Sequence, residues 1–193
     1  MIITLTYSAV FNPKNIENLE SEDRKDRLNF QQIFTLLQLK PNYIVIDLGC
    51  GSGYFSIPLS KKVKRVYGID LQKEMLDYLK QKIEKQKIEN IELILSKADK
   101  IPLINNCTNI LLTVNTLHEF ESRTEVISEI QRLISKNGQL IVIDFKKEEA
   151  DFGPPIEIRI SKHQAINLFE NKDFEVIGSY DLKYHYLLIF QKK

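Results

Sequence analysis

Cysteine is scarce in this chain, with Cys50 and Cys107 alone, and two thiols are too few for a disulfide scaffold or a zinc site. Both read as reduced thiols of a cytoplasmic protein. No run approaches the ~20 apolar residues that a membrane-spanning helix needs. The apolar start, Met1 to Val10, is short and lacks a basic leader and a small-residue cleavage site, so no signal peptide is expected there. A charge of one sign is also missing. The 27 Lys plus Arg oppose 26 Asp plus Glu, which removes any global pull toward nucleic acid or anionic membrane. Tryptophan is absent while Lys, Ile and Glu abound, a bias that heat-adapted and AT-rich sources share. There are no repeats or low-complexity tracts. What is present suffices for a core: 43% of 193 residues are hydrophobic, enough for one domain and too short for a large second one.

Glycine is sparse too, yet three of the seven glycines fall at alternate positions in one run, Val45-Ile46-Asp47-Leu48-Gly49-Cys50-Gly51-Ser52-Gly53. Tyr43 to Leu48 is a near-continuous apolar stretch, as a buried parallel strand requires. Glycines after it let the backbone turn tightly and approach a ligand closely. Cys50, inside the loop, is small enough to fit. The segment Tyr54 to Lys62 is expected to be a helix, whose free N–H groups would point at whatever is bound. The combination makes a cradle for a small molecule, most often a nucleotide or nucleoside. The bland reading is a glycine-rich turn without a ligand. The dinucleotide fingerprint G-x-G-x-x-G does not fit. Counted from Gly49 its third glycine falls on Tyr54, and counted from Gly51 it falls on Ser56. An NAD-dependent enzyme is disfavoured accordingly.

Val66 to Asp70 reads as the next strand. Asp70 stands about twenty residues beyond the glycines, where an α/β fold places the carboxylate that accepts ribose hydroxyls. Equally, Asp70 could cap the helix that starts near Gln72. Helices are expected over 23–39, 72–87 and 161–170. Another follows Ser122, whose spacing to Glu125 suits a capping box, and ends before Gly138. The lysines of the 72–87 helix read as a solvated face. Strands are expected at 91–96, 110–114 and 139–145. Phe174 to Tyr180 and Tyr184 to Phe190 read as a late antiparallel hairpin. The pattern is α/β: a doubly wound, seven-stranded, mostly parallel sheet with a C-terminal antiparallel hairpin. Residues 1–40 form a helical segment or lid on a core of 41–193, within a single domain of 1–193.

The D-x-G-x-G-x-G run of Asp47 to Gly53 resembles the first motif of the class I S-adenosylmethionine-dependent methyltransferases, which have a Rossmann-like fold. Asp70 matches the second acid of that family, and Lys97-Ala98-Asp99-Lys100-Ile101-Pro102-Leu103 matches its segment after the third strand. The resemblance runs from about Phe11 to the C-terminus. It is nearest the type 11 group, whose best-known members methylate ring carbons in ubiquinone and menaquinone synthesis. Asn115-Thr116-Leu117-His118-Glu119, Gly153-Pro154-Pro155, Arg159 and Ser161 support that subgroup. The resemblance implies S-adenosylmethionine as cofactor, held by Asp47, Gly49, Cys50, Gly51, Gly53, Asp70, Leu71, Ala98, Asp99 and Asn115. Asp99 would meet the adenine amino group, the backbone of Ala98 the ring edge, and Leu71 the adenine face.

Ligands of such sheets bind beyond the C-terminal strand ends. Candidates there are Asn115 and His118 after the fourth strand, Asp144 at the end of the fifth, and the Asp151 to Ser161 loop. His118 is either a general base or a structural histidine. Arg159 either clamps an anionic substrate or pairs with a nearby acid. The implied activity is methyl transfer to a small-molecule acceptor, a quinone-like or other aromatic metabolite. The alternative is a non-catalytic binding or regulatory protein of the same fold. An RNA or protein methyltransferase is less favoured. The tetrapeptide expected of nucleobase amino-methyltransferases is missing at Asn115 to His118, and an arsenite methyltransferase would need more cysteines. No metal is implied.

Overall fold

The computed structural model describes residues 30 to 193, together with Asn12, Lys14, Ile16, Leu19, Ser21, Arg27 and Leu28. Most of the expected lid, including the first turns of the 23–39 helix, lies outside the described residues. From that helix, α1 is described over Phe30–Leu36, and it buries Ile33.

The doubly wound sheet expected from the sequence is present. Among the described residues seven strands form one sheet in the order β3-β2-β1-β4-β5-β7-β6. These are β1 Ile44–Leu48, β2 Arg65–Asp70, β3 Ile91–Leu95, β4 Thr108–Val114, β5 Ile134–Phe145, β6 Phe174–Asp181 and β7 His185–Lys192. The first five pair in parallel, and β7 pairs antiparallel with both β5 and β6. The remaining helices are α2 Ser56–Ser60, α3 Lys73–Lys85, α4 Arg123–Leu133 and α5 Lys162–Glu170.

Two-residue periodicity divides the core between the faces of the sheet. Val45, Ile110, Ile141 and Leu187 join α1 and α3 on one side. Ile46, Leu111, Leu140 and Leu188 join α4 and α5 on the other. Met75, Leu76, Leu79 and Ile83 make the buried stripe of α3. Each such side chain contributes roughly 1.5–3 kcal/mol on burial.

Strand order reverses between β1 and β4, so their C-terminal ends open a crevice between diverging connections.

Three local expectations are corrected. The helix expected over 54–62 shortens to α2; Pro58 within it has no N–H to donate. Ser122 is the N-cap of α4, but its side chain makes no capping bond, so the box with Glu125 does not form. That helix ends before Gly138, as expected. The chain is already extended at Ile134, the first residue of β5, and Gly138 lies inside this strand. The lysine face of α3 is not wholly solvated, because Lys82 Nζ donates to the Ser52 carbonyl at 2.9 Å.

Candidate active site

The loop after β1 turns on Gly49, Gly51 and Gly53, with φ of 75°, 51° and 81°, a region that side-chain-bearing residues avoid. Gly49 N and Cys50 N both donate to the Ile69 carbonyl, at 2.8 and 3.0 Å. Gly51 N donates to Asp70 Oδ2 at 2.8 Å. The loop is thereby tied to the end of the neighbouring strand, and the two acid-and-glycine motifs of the sequence become one site.

The three glycines differ in their surroundings. A Cβ at Gly49 would run into Thr116, and one at Gly53 into Leu79. Among the described residues, one at Gly51 would meet only Leu19 Cδ1, at 3.5 Å. Gly51 is therefore the position with space in front of it.

Asp70 ends β2 at the threshold of α3. Its Oδ1 accepts from Gln72 N at 2.9 Å, just ahead of α3, although the formal N-cap is Gln72. Two backbone donors leave further lone pairs on the carboxylate. Burial pushes its pKa up, and N–H groups of Gln72, Gly51 and Leu71 oppose that rise. Beside it Leu71 is 51% exposed, an uncovered apolar face. Ser96 N donates to the Asp70 carbonyl at 3.0 Å, which fixes the start of the next loop. There Ala98 is half-buried and Asp99 exposed. Farther along, Ile101 N donates to Glu129 Oε1, and Arg132 grips the carbonyls of Ile101 and Leu103.

Asp47 and Cys50 face the interior. Ser56 Oγ donates to Asp47 Oδ2 at 2.5 Å, and Asp47 is buried. Its carboxylate braces the loop from behind. Cys50 is buried with its Sγ toward Gly68, and burial, with Asp47 and Asp70 nearby, pushes its thiol well above the ordinary value. It is an inert packing thiol.

Beyond β4, Asn115 adopts a left-handed conformation with φ of 57°, and its N donates to the Ile143 carbonyl at 2.8 Å. Its Oδ1 is enclosed without a partner, as is Ser52 Oγ in the glycine loop. Buried polar atoms are almost always paired. These two orphans lie on the loops after β1 and β4, on either side of the crevice.

His118 follows in a single 3₁₀ turn and is 6% exposed. Its Nδ1 lies 2.9 Å from Asp144 Oδ1 and 3.2 Å from Oδ2, and its backbone N donates to Oδ2 at 3.3 Å. Phe145 N also donates to Oδ1, at 2.7 Å. Burial pulls the imidazole pKa down, but the bond to Asp144 and its charge outweigh it, and the net shift is upward. Asp144, a substrate candidate in the sequence, instead faces His118 and is fully enclosed.

Arg159 carries a second correction. Its guanidinium is tied to backbone carbonyls rather than to an acid. Nε donates to the Pro154 carbonyl, Nη1 to those of Lys146 and Glu148, and Nη2 to that of Phe152. The guanidinium holds the 146–154 loop in place. Arg159 itself helps line a narrow cleft, with Phe145, Lys146, Glu148, Glu149, Phe152 and Tyr184. Sequence reasoning overlooked these aromatic rings, along with the Ser56 brace and Lys82; aromatic residues flanking the end of an apolar strand were the available signal.

Glycine loop, acid after β2 and reversed strand order together define a nucleoside-binding α/β domain. A family model described as a methyltransferase domain matches residues 39–184. The crystal structure of a SAM dependent methyltransferase from Aquifex aeolicus aligns with a TM-score of 0.90 and 29% identity, over 95% of this chain and 100% of that one. A protein named probable cobalt-precorrin-6B C(15)-methyltransferase (decarboxylating), from Methanococcus maripaludis, is 31% identical over 144 residues, 66% of this chain and 80% of that protein. The ubiquinone/menaquinone biosynthesis C-methyltransferase UbiE of Campylobacter jejuni is 28% identical over 120 residues, 58% of this chain. The chain spans about half the length of that relative, 49%. The chain belongs to the methyltransferase-domain family. Among the described residues no helix is long and apolar enough to cross a membrane.

Proposed function

We propose that the protein transfers the methyl group of S-adenosylmethionine to a small-molecule acceptor. The observation that carries this is the Gly51 cradle tied to the Asp70 carboxylate. The residues fit the cofactor. Asp70 offers lone pairs to vicinal ribose hydroxyls, Leu71 an apolar face, and Ala98 with Asp99 a backbone and an acid to the adenine edge. Asn115 Oδ1 and Ser52 Oγ supply unpaired polar atoms at the other end. When bound, the cofactor supplies an electrophilic methyl on a sulfonium and leaves as S-adenosylhomocysteine. The protein's part is to bind, orient and exclude water.

We favour a flat aromatic or quinone-like acceptor, since aromatic rings cluster beyond β5. Phe152 and Tyr184 pack edge to face at 4.8 Å, and Phe145 lies 6.2 Å from Phe152. The names of the UbiE relatives favour the same class.

The test is calorimetric titration with S-adenosylmethionine, S-adenosylhomocysteine and NAD, followed by an acceptor screen over quinols and phenols. Binding of the first two, none of NAD, and product formation are expected. Binding without turnover of any acceptor would favour the non-catalytic alternative, and no binding would sink the reading.

A further inference from the structure

We propose that Glu129 and Arg132 of α4 are positioning residues for the cofactor: they set the loop after β3 so that Asp99 meets the adenine amino group, and the site thereby prefers adenine to hypoxanthine. The inference rests on the S-adenosylmethionine reading above and adds the residues that make its base recognition selective.

The middle of that loop is open. Residues 96–107 join β3 to β4 without helix or strand. Lys97, Asp99 and Lys100 are exposed and Ala98 is half-buried. A carboxylate on such a loop spreads over many positions unless the backbone is fixed from outside.

Two anchors fix it. At the near end Ser96 N donates to the Asp70 carbonyl at 3.0 Å, and Ser96 Oγ lies 3.0 and 2.8 Å from the carbonyls of Lys97 and Lys100. At the far end α4 takes over. Ile101 N donates to Glu129 Oε1 at 2.6 Å, and Arg132 Nη2 donates to the Ile101 carbonyl at 2.9 Å. Both backbone groups of Ile101 are thus held by one helix. Arg132 Nη1 reaches on to the Leu103 carbonyl at 2.7 Å and to Asn105 Oδ1 at 2.8 Å. Its Nε and Nη2 fork onto Glu129, at 2.7 Å each. A guanidinium has five N–H groups, and each of these bonds uses one. The Ile101 side chain is buried in the cluster that holds Val126, Ile127 and Ile130 of α4. Asp99 stands between the two anchors.

An ion pair serving only its own helix is worth little. Here both partners spend bonds on the backbone of a loop that precedes them by 28 to 31 residues. The bond from Arg132 also holds the Glu129 carboxyl below its ordinary pKa, so the fork stays ionised at neutral pH.

The selectivity follows from donors and acceptors. A carboxylate only accepts, and the adenine amino group donates to it. Hypoxanthine carries an oxygen in that place, an acceptor that a fixed carboxylate opposes. A site built to pair with an N–H group rejects the analogue that lacks it, provided that the partner cannot swing away. Glu129 and Arg132 supply that condition.

The probes are S-adenosylhomocysteine and S-inosylhomocysteine, in which oxygen replaces the adenine amino group, each titrated calorimetrically into the full chain. Wild type should bind the first at least about 10-fold more tightly, the worth of a hydrogen bond to a charged group. Arg132→Met should bring the two affinities together by weakening S-adenosylhomocysteine alone. Arg132→Lys keeps the charge but not the fork, and should behave as Arg132→Met does. Asp99→Ala should also remove the preference. Adding Arg132→Met to it should take away nothing more, because Arg132 acts through Asp99. Urea titration checks that each variant is folded. Should Arg132→Met be unfolded, Glu129→Gln carries the test: it keeps an oxygen for Ile101 N, turns an amide N–H toward the guanidinium, and should lower the preference in the same way. An unchanged preference in folded Arg132→Met or Glu129→Gln would overturn the proposal. So would equal losses for both ligands, or additive losses in the double variant. Wild type that binds both ligands alike would overturn it too, with the S-adenosylmethionine reading intact; wild type that binds neither would remove that reading itself.

Discussion

At the residue scale, the glycine loop separates cofactor binding from stability. Gly51→Ala adds a methyl group that, among the described residues, meets only Leu19, at the cost of a left-handed alanine, about 1–2 kcal/mol. The protein should stay folded in urea titrations while its affinity for S-adenosylmethionine drops by about 10-fold or more, ~1.4 kcal/mol. Gly53→Ala pushes into Leu79 and should cost about 2–4 kcal/mol in the same titrations, since strain and overpacking add. Asp70→Ala should weaken cofactor binding by roughly 1–3 kcal/mol, the worth of buried charge-assisted hydrogen bonds. An unchanged affinity would remove the ribose role. These residues were legible in the sequence because a left-handed backbone demands glycine and a strand end demands a polar stop. The His118–Asp144 pair was not legible as a pair. Its members are 26 residues apart and meet only because β4 and β5 lie side by side. Nor was Arg159, whose partners are carbonyls and leave no mark in the sequence.

At the scale of elements, two helices with similar starts behave differently. Ser161 caps α5 with a full box: its side chain accepts from Gln164 N, and Gln164 Oε1 accepts from Ser161 N at 2.9 Å. Ser122 precedes α4 with Glu125 at the same spacing, yet its backbone, φ −112° and ψ 87°, leaves the side chain without the bond. Thermal unfolding should show Ser161→Ala losing about 1 kcal/mol and Ser122→Ala about 0.5 kcal/mol or less. Spacing alone cannot distinguish them, because the cap depends on the approach of the chain. The approach to α4 is set by the 3₁₀ turn that carries His118. Element type was otherwise legible from apolar periodicity, as in α3. The early start of β5 was not, since pairing with Thr108 is a tertiary decision, whereas the short α2 could have been read from Pro58.

At the scale of the whole molecule, the sheet order follows from alternating strands and helices, and the residue pattern alone made this readable. Assembly of the sheet also creates a pH response. The folded pKa of His118 lies above its ordinary 6.5. The charged His118–Asp144 pair therefore stabilises the fold fully below the unfolded value, and that contribution is lost as pH rises through the folded one. Urea midpoints followed across pH should fall there in wild type and flatten in His118→Asn. The 146–154 loop offers a different consequence. Arg159 fastens that loop by its carbonyls, and every residue type has a carbonyl. The side chains of Glu148, Glu149, Ala150 and Asp151 are thus released from any duty to hold their own backbone. The loop is a clasped, rewritable cassette beside a narrow cleft, where point substitution can change the surface without loosening the frame that carries it.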